Sequence, residues 1–141
     1  MADRRVLLDT GPLVALLAES DSQHHRCIET LATLTPPLLT CWPVLTEAAW
    51  ILRNQPRPLD RISEAHAAGL FEIHPLDNGA LSEIAGIMRR YEDTGLQLAD
   101  AALAYIAEHE GIRTVFTLDR RDFLILRLKR GRSLRLIPDV S

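Results

Sequence analysis

One stretch near the amino terminus decides the fold: Arg5-Val6-Leu7-Leu8-Asp9-Thr10-Gly11-Pro12. Its apolar run is typical of a strand buried on both faces, and Pro12 suits the first turn of a helix. Asp9 is therefore predicted at the carboxyl end of a buried strand, just before a helix begins. In open parallel sheets, ligands bind at that edge, because strand ends and helix amino termini meet there.

The composition is that of an ordinary globular protein and limits the possible functions. The chain has 141 residues, of which 47% are hydrophobic and 25% charged, so we predict a single domain over residues 1–141. Its formal net charge of -3 argues against nucleic-acid binding through bulk positive charge alone. Half of the 16 basic residues nevertheless lie in the last quarter of the chain, at Arg113, Arg120, Arg121, Arg127, Lys129, Arg130, Arg132 and Arg135. This segment is interpreted either as a solvated surface or as a patch that faces phosphates.

The two cysteines, Cys27 and Cys41, lack the C-x-x-C spacing of metal and redox sites and fall within apolar patterns. They are predicted to be buried thiols of a protein in a reducing compartment. Neither a signal sequence nor an apolar stretch of membrane-spanning length is evident. We therefore expect a soluble, cytoplasmic protein with no membrane partner.

Strand-like and helix-like segments alternate along the whole chain. Strands are predicted at residues 5–8, 38–41, 70–74, 113–118 and 134–137, the last of them at an edge of the sheet. Such alternation is typical of a parallel sheet covered by helices on both faces. We therefore predict an α/β protein with three layers, α/β/α, around a mostly parallel central sheet of about five strands. Right-handed crossovers would bring all strand carboxyl ends to one edge.

Two of these strands end in the same way, with an apolar run followed by an aspartate. Asp9 is followed by Thr10, and Asp119 is preceded by Thr117 at a distance of two residues. A single aspartate of this kind is usually a turn residue or a helix cap. Two of them indicate a ligand site if their strands are neighbours near the centre of the sheet, because the carboxylates then meet in one crevice.

Asp100 is the one carboxylate in the first half of a very apolar helical segment, residues 96–109. An ionised carboxylate among such neighbours needs a partner, since burying an unpaired charge costs several kcal/mol. The alternative is that Asp100 caps a helix beginning at Ala101. Glu47 lies shortly after a predicted strand end and has apolar helix neighbours, which distinguishes it from an ordinary solvated glutamate.

Four carboxylates that converge in one crevice would repel one another, and a divalent cation is the usual remedy. A site with oxygen ligands and without histidine or cysteine suits Mg²⁺ or Mn²⁺ better than Zn²⁺. Such an ion can generate hydroxide from water and neutralise charge on a phosphate oxygen, which indicates phosphodiester hydrolysis without a protein nucleophile. No glycine-rich phosphate loop is present, so no nucleotide cofactor is predicted.

The acidic residues occur within motifs that resemble a known family. In chain order, the motifs are Val6-Leu7-Leu8-Asp9-Thr10, Thr46-Glu47, Leu98-Ala99-Asp100-Ala101 and Thr117-Leu118-Asp119-Arg120-Arg121-Asp122-Phe123. Together they cover nearly the whole chain and resemble the PIN-domain ribonucleases, specifically the VapC-type toxins of bacterial toxin–antitoxin pairs. The resemblance implies an endoribonuclease that depends on Mg²⁺ or Mn²⁺, within a three-layer α/β/α fold.

The same resemblance implies that four acidic residues are both catalytic and metal-binding. Asp9 and Asp100 would be the principal metal ligands. Glu47 and Asp119 would bind through water or complete a second ion, which leaves the number of ions open. RNA is the implied substrate, a cognate protein antitoxin the implied inhibitor, and a homodimer the implied assembly.

Two threonines accompany the acidic residues. By the same resemblance, Thr10 and Thr117 would orient carboxylates or water. Gly11 stands where many relatives carry serine or asparagine, so a supporting hydroxyl is absent at that position. Its Gly-Pro sequence nevertheless suits the turn from strand to helix.

Several further residues have two interpretations. Asp122 is either a supplementary metal ligand or, as we favour, the cap of a short helical segment predicted at 123–128. Arg120 and Arg121 either contact RNA phosphate or lie in water. Trp42 and Trp50 flank Glu47, and we favour a role in the core or a dimer interface over stacking on a base.

Other classes of function predict different residues. A housekeeping RNA-processing nuclease of the same fold would share the acidic residues. A phosphatase needs Asp-x-Asp after the first strand, where Gly11 occupies the second acidic position. A receiver domain needs paired acids on its first strand and a lysine at a late strand end, whereas Arg4 and Arg5 precede this strand and Lys129, the only lysine, lies in a basic loop. A catalytically silent binding module would lack one or more of the four acidic residues, and none is lost here.

Overall fold

The computed structural model describes residues 4–128 and 131–139. Within these ranges a five-stranded, fully parallel sheet lies at the centre, with the strand order β3-β2-β1-β4-β5. The strands are β1 (Val6–Leu8), β2 (Leu38–Thr40), β3 (Phe71–Ile73), β4 (Thr114–Phe116) and β5 (Arg135–Ile137). The alternating pattern of the sequence therefore predicts the strands correctly, including the edge position of the last one.

Helices flank the sheet on both faces and complete the three-layer α/β/α architecture. They are α1 (Thr10–Leu17), α2 (His24–Leu31), α3 (Trp42–Ile51), α4 (Pro58–Ala67), α5 (Ala80–Arg90), α6 (Leu98–Glu110) and α7 (Arg120–Ile125), with a 3₁₀ helix at Glu92–Thr94. The last helix departs from its predicted range, because it begins directly after the turn that follows β4. Among the described residues, no helix is both long enough and apolar enough to cross a membrane.

The strand order reverses beside β1, and this reversal positions the candidate site. From β1 the chain proceeds to β2 and β3 on one side, and it later forms β4 and β5 on the other. A reversal of this kind opens a crevice at the carboxyl ends of the two adjacent strands. Leu8 pairs with Phe116 in the parallel ladder between β1 and β4. The chain segments that begin at Asp9 and Thr117 therefore emerge side by side, as the sequence predicts for neighbouring central strands.

The core contains aliphatic side chains from the central strands and the inner faces of the helices. Leu7, Leu8 and Leu103 have no exposed surface. Cys27 and Cys41 are buried free thiols, which confirms their predicted role. The helix α6 is buried along most of its length, so the neighbours of Asp100 are as apolar as the sequence indicates.

Both tryptophans lie on the surface of α3, so the interpretation as core residues is wrong. Trp42 is 58% exposed and Trp50 is 66% exposed. The buried face of α3 is formed instead by Val44, Leu45 and Ala48. These smaller side chains fit against the neighbouring helices and leave both indole rings on the opposite face.

Truncation of a core side chain on α6 should destabilise the fold strongly. We expect Leu103→Ala to lower the free energy of unfolding by about 2–5 kcal/mol, because it removes buried methyl groups and leaves a cavity. Leu81→Ala on α5 is the matched control, since Leu81 is 74% exposed, and it should change stability by less than about 0.5 kcal/mol. Urea unfolding measures both, and equal effects would contradict this packing.

Candidate metal centre at the carboxyl edge of the sheet

Asp9 is held in the crevice between β1 and β4 by two hydrogen bonds, one with the last residue of β4 and one with the residue that follows it. Its backbone N–H donates to the carbonyl oxygen of Phe116 at 3.0 Å. The hydroxyl of Thr117 donates to its Oδ2 at 2.7 Å. Only 5% of Asp9 is exposed, so its carboxylate is fixed in orientation and almost removed from water.

Thr117 also shapes the segment that follows β4. Its buried hydroxyl oxygen accepts the backbone N–H of Asp119 at 2.9 Å. This bond turns the chain as soon as the strand ends, and α7 begins at Arg120. One hydroxyl thus links the carboxylate of Asp9 with the backbone that carries Asp119.

Asp100 enters the same crevice from α6. The helix begins at Leu98, so Asp100 lies within its first turn, and the alternative of a cap for a helix beginning at Ala101 is wrong. Its Oδ2 accepts the backbone N–H of Gln97 at 3.4 Å. Asp100 is 6% exposed, which is unusual for an aspartate and agrees with its apolar surroundings in the sequence.

The protonation of these two aspartates indicates that several carboxylates lie near one another. Burial raises the pKa of Asp9 to about 6, with the charges of Glu47 and Asp119 adding to the rise and the hydrogen bond from Thr117 opposing it. Burial, together with the charge of Asp9, raises the pKa of Asp100 to about 7. Charge effects of this kind are strongest between groups at short separation in a poorly solvated crevice.

Glu47 and Asp119 are the exposed members of the acidic set. Glu47 lies in the middle of α3, and Asp119 lies immediately before α7. Asp122 lies inside the first turn of α7, so the favoured interpretation of Asp122 as a helix cap is wrong. Burial, together with the charge and hydrogen bond of Asp119, raises the pKa of Asp122. The charge of Asp122 in turn raises the pKa of Asp100, so this fifth carboxylate belongs to the same crevice.

Two further threonines lie beside Asp9. Thr10 is 4% exposed, and its hydroxyl is a buried polar group without a hydrogen-bond partner in the described part of the chain. Thr40 donates its hydroxyl to the carbonyl oxygen of Leu8 at 2.9 Å, which ties β2 to β1 one residue before Asp9. Sequence reasoning missed Thr40, because a threonine at the end of a strand resembles any other β-branched strand residue.

The basic residues near the site differ in their surroundings. Nη1 of Arg120 donates to the carbonyl oxygen of Pro138 at 3.0 Å and so joins α7 to the end of β5. Arg121 is exposed. An RNA contact by either arginine stays a prediction. Lys129 and Arg130 of the predicted basic segment lie outside the described residues.

The donor atoms at this edge fit a hard divalent cation. They are carboxylate and hydroxyl oxygens, and burial raises the pKa of the nearby Cys41 thiol to about 12, so it offers no thiolate. Over residues 4–128 and 131–139, no three histidine, cysteine, aspartate or glutamate side chains are yet arranged to hold an ion. Ion binding would require the carboxylates to turn toward one point.

A cleft of about 680 Å³ lies elsewhere on the molecule than the candidate metal centre. It is lined by the carboxyl-terminal part of α2, by the starts of β1 and β4, and by β5 and the residues after it. None of the five carboxylates described above contributes to it. The cleft and the candidate metal centre are thus separate features of the surface.

The geometry and the sequence relationship agree on the family. A family model described as PIN domain matches residues 6–128. The chain belongs to the PIN domain family. The matched range contains β1, β4 and all of the carboxylates at the crevice. Membership in this family confirms the resemblance and excludes the phosphatase and receiver interpretations.

Known relatives of this PIN domain include a protein named Ribonuclease VapC26 from Mycobacterium tuberculosis. The two sequences are 26% identical over 136 residues, which cover 94% of this chain and 100% of the relative. Three solved structures share the fold. The toxin VapC20 of Mycobacterium tuberculosis, described as cleaving the sarcin-ricin loop, superposes with a TM-score of 0.72 at 16% identity, covering 83% of this chain and 92% of its own.

The other two structures cover more of this chain. VapBC2 from Rickettsia felis, bound to a DNA fragment from its promoter, gives a TM-score of 0.60 at 18% identity, with 93% and 96% of the two chains covered. FitAcB from Neisseria gonorrhoeae gives 0.63 at 18% identity, with 93% and 95% covered. At these identities the three likenesses establish the fold, and they confirm the predicted PIN-like architecture.

Removal of the Thr117 hydroxyl should change the acidity of Asp9. In Thr117→Val, the carboxylate loses the hydrogen bond that favours its charged form, so the pKa of Asp9 should rise above about 6. Carboxyl-carbon NMR titration of the metal-free protein measures this shift. Thr114→Val, at the other end of β4, is the matched control and should leave it unchanged. A Thr117→Val protein with an unaltered Asp9 titration would contradict the assigned contact.

Charge at Asp9 should destabilise the metal-free fold. Because burial raises its pKa from 3.8 to about 6, the folded protein binds the proton more tightly than the unfolded chain does. Its contribution is therefore unfavourable above about pH 6 and vanishes below about pH 4. A shift of this size corresponds to about 3 kcal/mol.

The test compares Asp9→Asn with the wild type by urea unfolding in a chelator. The variant should gain stability relative to the wild type as the pH rises from about 4 to about 6, by up to about 3 kcal/mol. A stability difference that is constant across this range would show that Asp9 is not protonated in the manner described.

Proposed function

We propose that this PIN domain is a metal-dependent endoribonuclease that hydrolyses RNA phosphodiester bonds and acts as the toxin of a toxin–antitoxin pair. The observation that carries the proposal is the pair of buried aspartates, Asp9 at 5% and Asp100 at 6% exposure, which share one crevice. Burial raises the pKa of both carboxyl groups, so their ionisation opposes folding. A role in cation binding accounts for their presence, because a bound cation compensates both charges.

The ion is proposed to be Mg²⁺ or Mn²⁺. Asp9 and Asp100 would be its principal ligands, since they are the most buried carboxylates and Thr117 already orients Asp9. Glu47 and Asp119 would hold water on the ion or complete a second one, and Asp122 would supplement them. When bound, a divalent ion activates water and neutralises charge on a phosphate oxygen.

The protein residues would position the reacting groups. Hydrolysis places the hydroxyl of a water molecule on phosphorus, breaks one P–O bond and gives the proton to the departing oxygen. The unpaired hydroxyl of Thr10 is available to orient that water or a carboxylate. Arg121, exposed one residue from the start of α7, would attract the RNA phosphates, with Arg120 beside it.

The toxin assignment is supported by what is known of similar proteins. The relative of 26% identity is named a ribonuclease, and the structurally similar VapC20 is described as a toxin that cleaves the sarcin-ricin loop. Two other structural neighbours are VapBC2 and FitAcB. A cognate protein antitoxin is accordingly the proposed inhibitor. We further propose a cytoplasmic homodimer of single-domain chains.

Metal-dependent RNA cleavage is the decisive experiment. The purified, antitoxin-free protein should cut a mixture of structured RNAs with Mg²⁺ or Mn²⁺ and lose this activity in a chelator. Asp9→Asn and Asp100→Asn should each reduce the cleavage rate by at least about a hundredfold, because the ion loses a principal ligand. The rate is measured from the fraction of RNA cut over time.

Asp93→Asn is the matched control, since Asp93 is an exposed aspartate of the 3₁₀ helix. It should cut RNA like the wild type. Cleavage that persists in the chelator, or that is equally fast in all three variants, would place the nuclease activity elsewhere or in a contaminant.

A further inference from the structure

Trp42 is an exposed aromatic side chain at the rim of the acidic crevice. It is the first residue of α3 and is 58% exposed. Within the described chain, no aromatic ring or cationic group stacks on its indole. The faces of this ring are therefore open to a planar partner.

The register of the sheet places Trp42 close to Asp9. Leu39 in β2 pairs with Leu7 in β1, and the hydroxyl of Thr40 donates to the carbonyl oxygen of Leu8. Cys41 is therefore level with Asp9 on the adjacent strand, and Trp42 follows it directly. Since adjacent strands lie about 5 Å apart, the Trp42 backbone starts within roughly two strand spacings of the carboxylate.

Trp50, two turns further along α3, provides an internal comparison. It is 66% exposed, but the guanidinium of Arg53 lies 4.1 Å from the centre of its ring. One face of Trp50 is thus already covered, and its position takes it away from the strand ends. The two tryptophans therefore differ both in distance from the acidic residues and in the availability of the ring.

We propose that the indole of Trp42 stacks on a nucleobase of the RNA whose phosphate enters the acidic crevice, as a substrate-positioning residue. The inference rests on the proposed function. The chain has a net charge of -3 and presents carboxylates to a polyanion, so charge attraction alone does not hold RNA at this edge. Stacking supplies attraction that is independent of charge, and it tolerates any base because every base has an aromatic face.

Leu98 contributes a second apolar side chain to the same rim. It is the first residue of α6, two residues before Asp100, and is 51% exposed. The helix α3 packs against α6, and both helices begin at the edge where the strands end. The carboxylates are thus bordered by apolar surface, which suits an unstacked base beside a phosphate better than it suits a duplex backbone.

The test uses the two tryptophans of the chain as reporters. Asp9→Asn is the background, so that bound RNA is not cut in Mg²⁺. In this background, Trp50→Phe leaves Trp42 as the sole tryptophan, and Trp42→Phe leaves Trp50. The probes are a short single-stranded RNA of mixed sequence and the same ribose-phosphate backbone without bases.

The base-containing RNA should quench the fluorescence of Trp42 and leave that of Trp50 unchanged, and the abasic strand should quench neither. Trp42→Leu should weaken binding of the base-containing RNA by about tenfold and leave binding of the abasic strand unaffected, whereas Trp42→Phe should restore most of the affinity. Unchanged Trp42 fluorescence, equal affinity in Trp42→Leu, or no binding of the base-containing RNA would overturn the inference.

Two other results separate this inference from its alternatives. If Trp42→Leu lowers the molar mass measured by light scattering and RNA does not quench Trp42, the ring is a contact between copies of the chain, and the inference is overturned. If RNA quenches Trp42 but the wild-type protein cleaves no RNA in Mg²⁺ or Mn²⁺, base stacking stands and the proposed nuclease function fails.

Discussion

The hydrogen bond from Thr117 to Asp9 is the contact on which the acidic crevice depends. It joins the ends of β1 and β4 at 2.7 Å, and the same hydroxyl receives the backbone N–H of Asp119. The Thr117 hydroxyl therefore both orients the Asp9 carboxylate and shapes the turn after which α7 begins at Arg120. A serine could supply the same bonds. The β-branched threonine also restricts its own side-chain rotamer, which holds the hydroxyl in place in this buried position.

The fold keeps charge where folding alone would favour apolar groups. Asp9 and Asp100 are surrounded by side chains such as Leu8 and Leu103, which have no exposed surface. Burial raises the pKa of each carboxyl group, so ionisation at neutral pH opposes the stability contributed by the core. Local conflicts of this kind are typical of functional sites, where residues needed for activity lower the stability of the fold.

The pattern of the sequence was sufficient for the architecture and for the apolar surroundings of Asp9 and Asp100, because both depend on burial. Apolar runs ending at Asp9 and Asp119 predicted two strand ends, and a single carboxylate in an apolar helix singled out Asp100. The cap role favoured for Asp122 was wrong, because α7 begins at Arg120, directly after the turn in which the Thr117 hydroxyl accepts the Asp119 N–H. The core alternative for Trp42 was wrong for another reason: the sequence does not reveal that Val44, Leu45 and Ala48 form the buried face of α3.

Gly11 allows α1 to lie close to the chain segment that follows β4. A β-carbon at this position would lie 3.3 Å from the β-carbon of Leu118, closer than most such contacts in proteins. The first turn of α1 therefore approaches the segment after β4 as nearly as the backbone allows. A side chain at position 11 would require Leu118 to shift by a few tenths of an ångström. The missing side chain thus leaves room for Leu118, so a larger residue at position 11 would act on the acidic edge through Leu118, which lies between Thr117 and Asp119 in the chain.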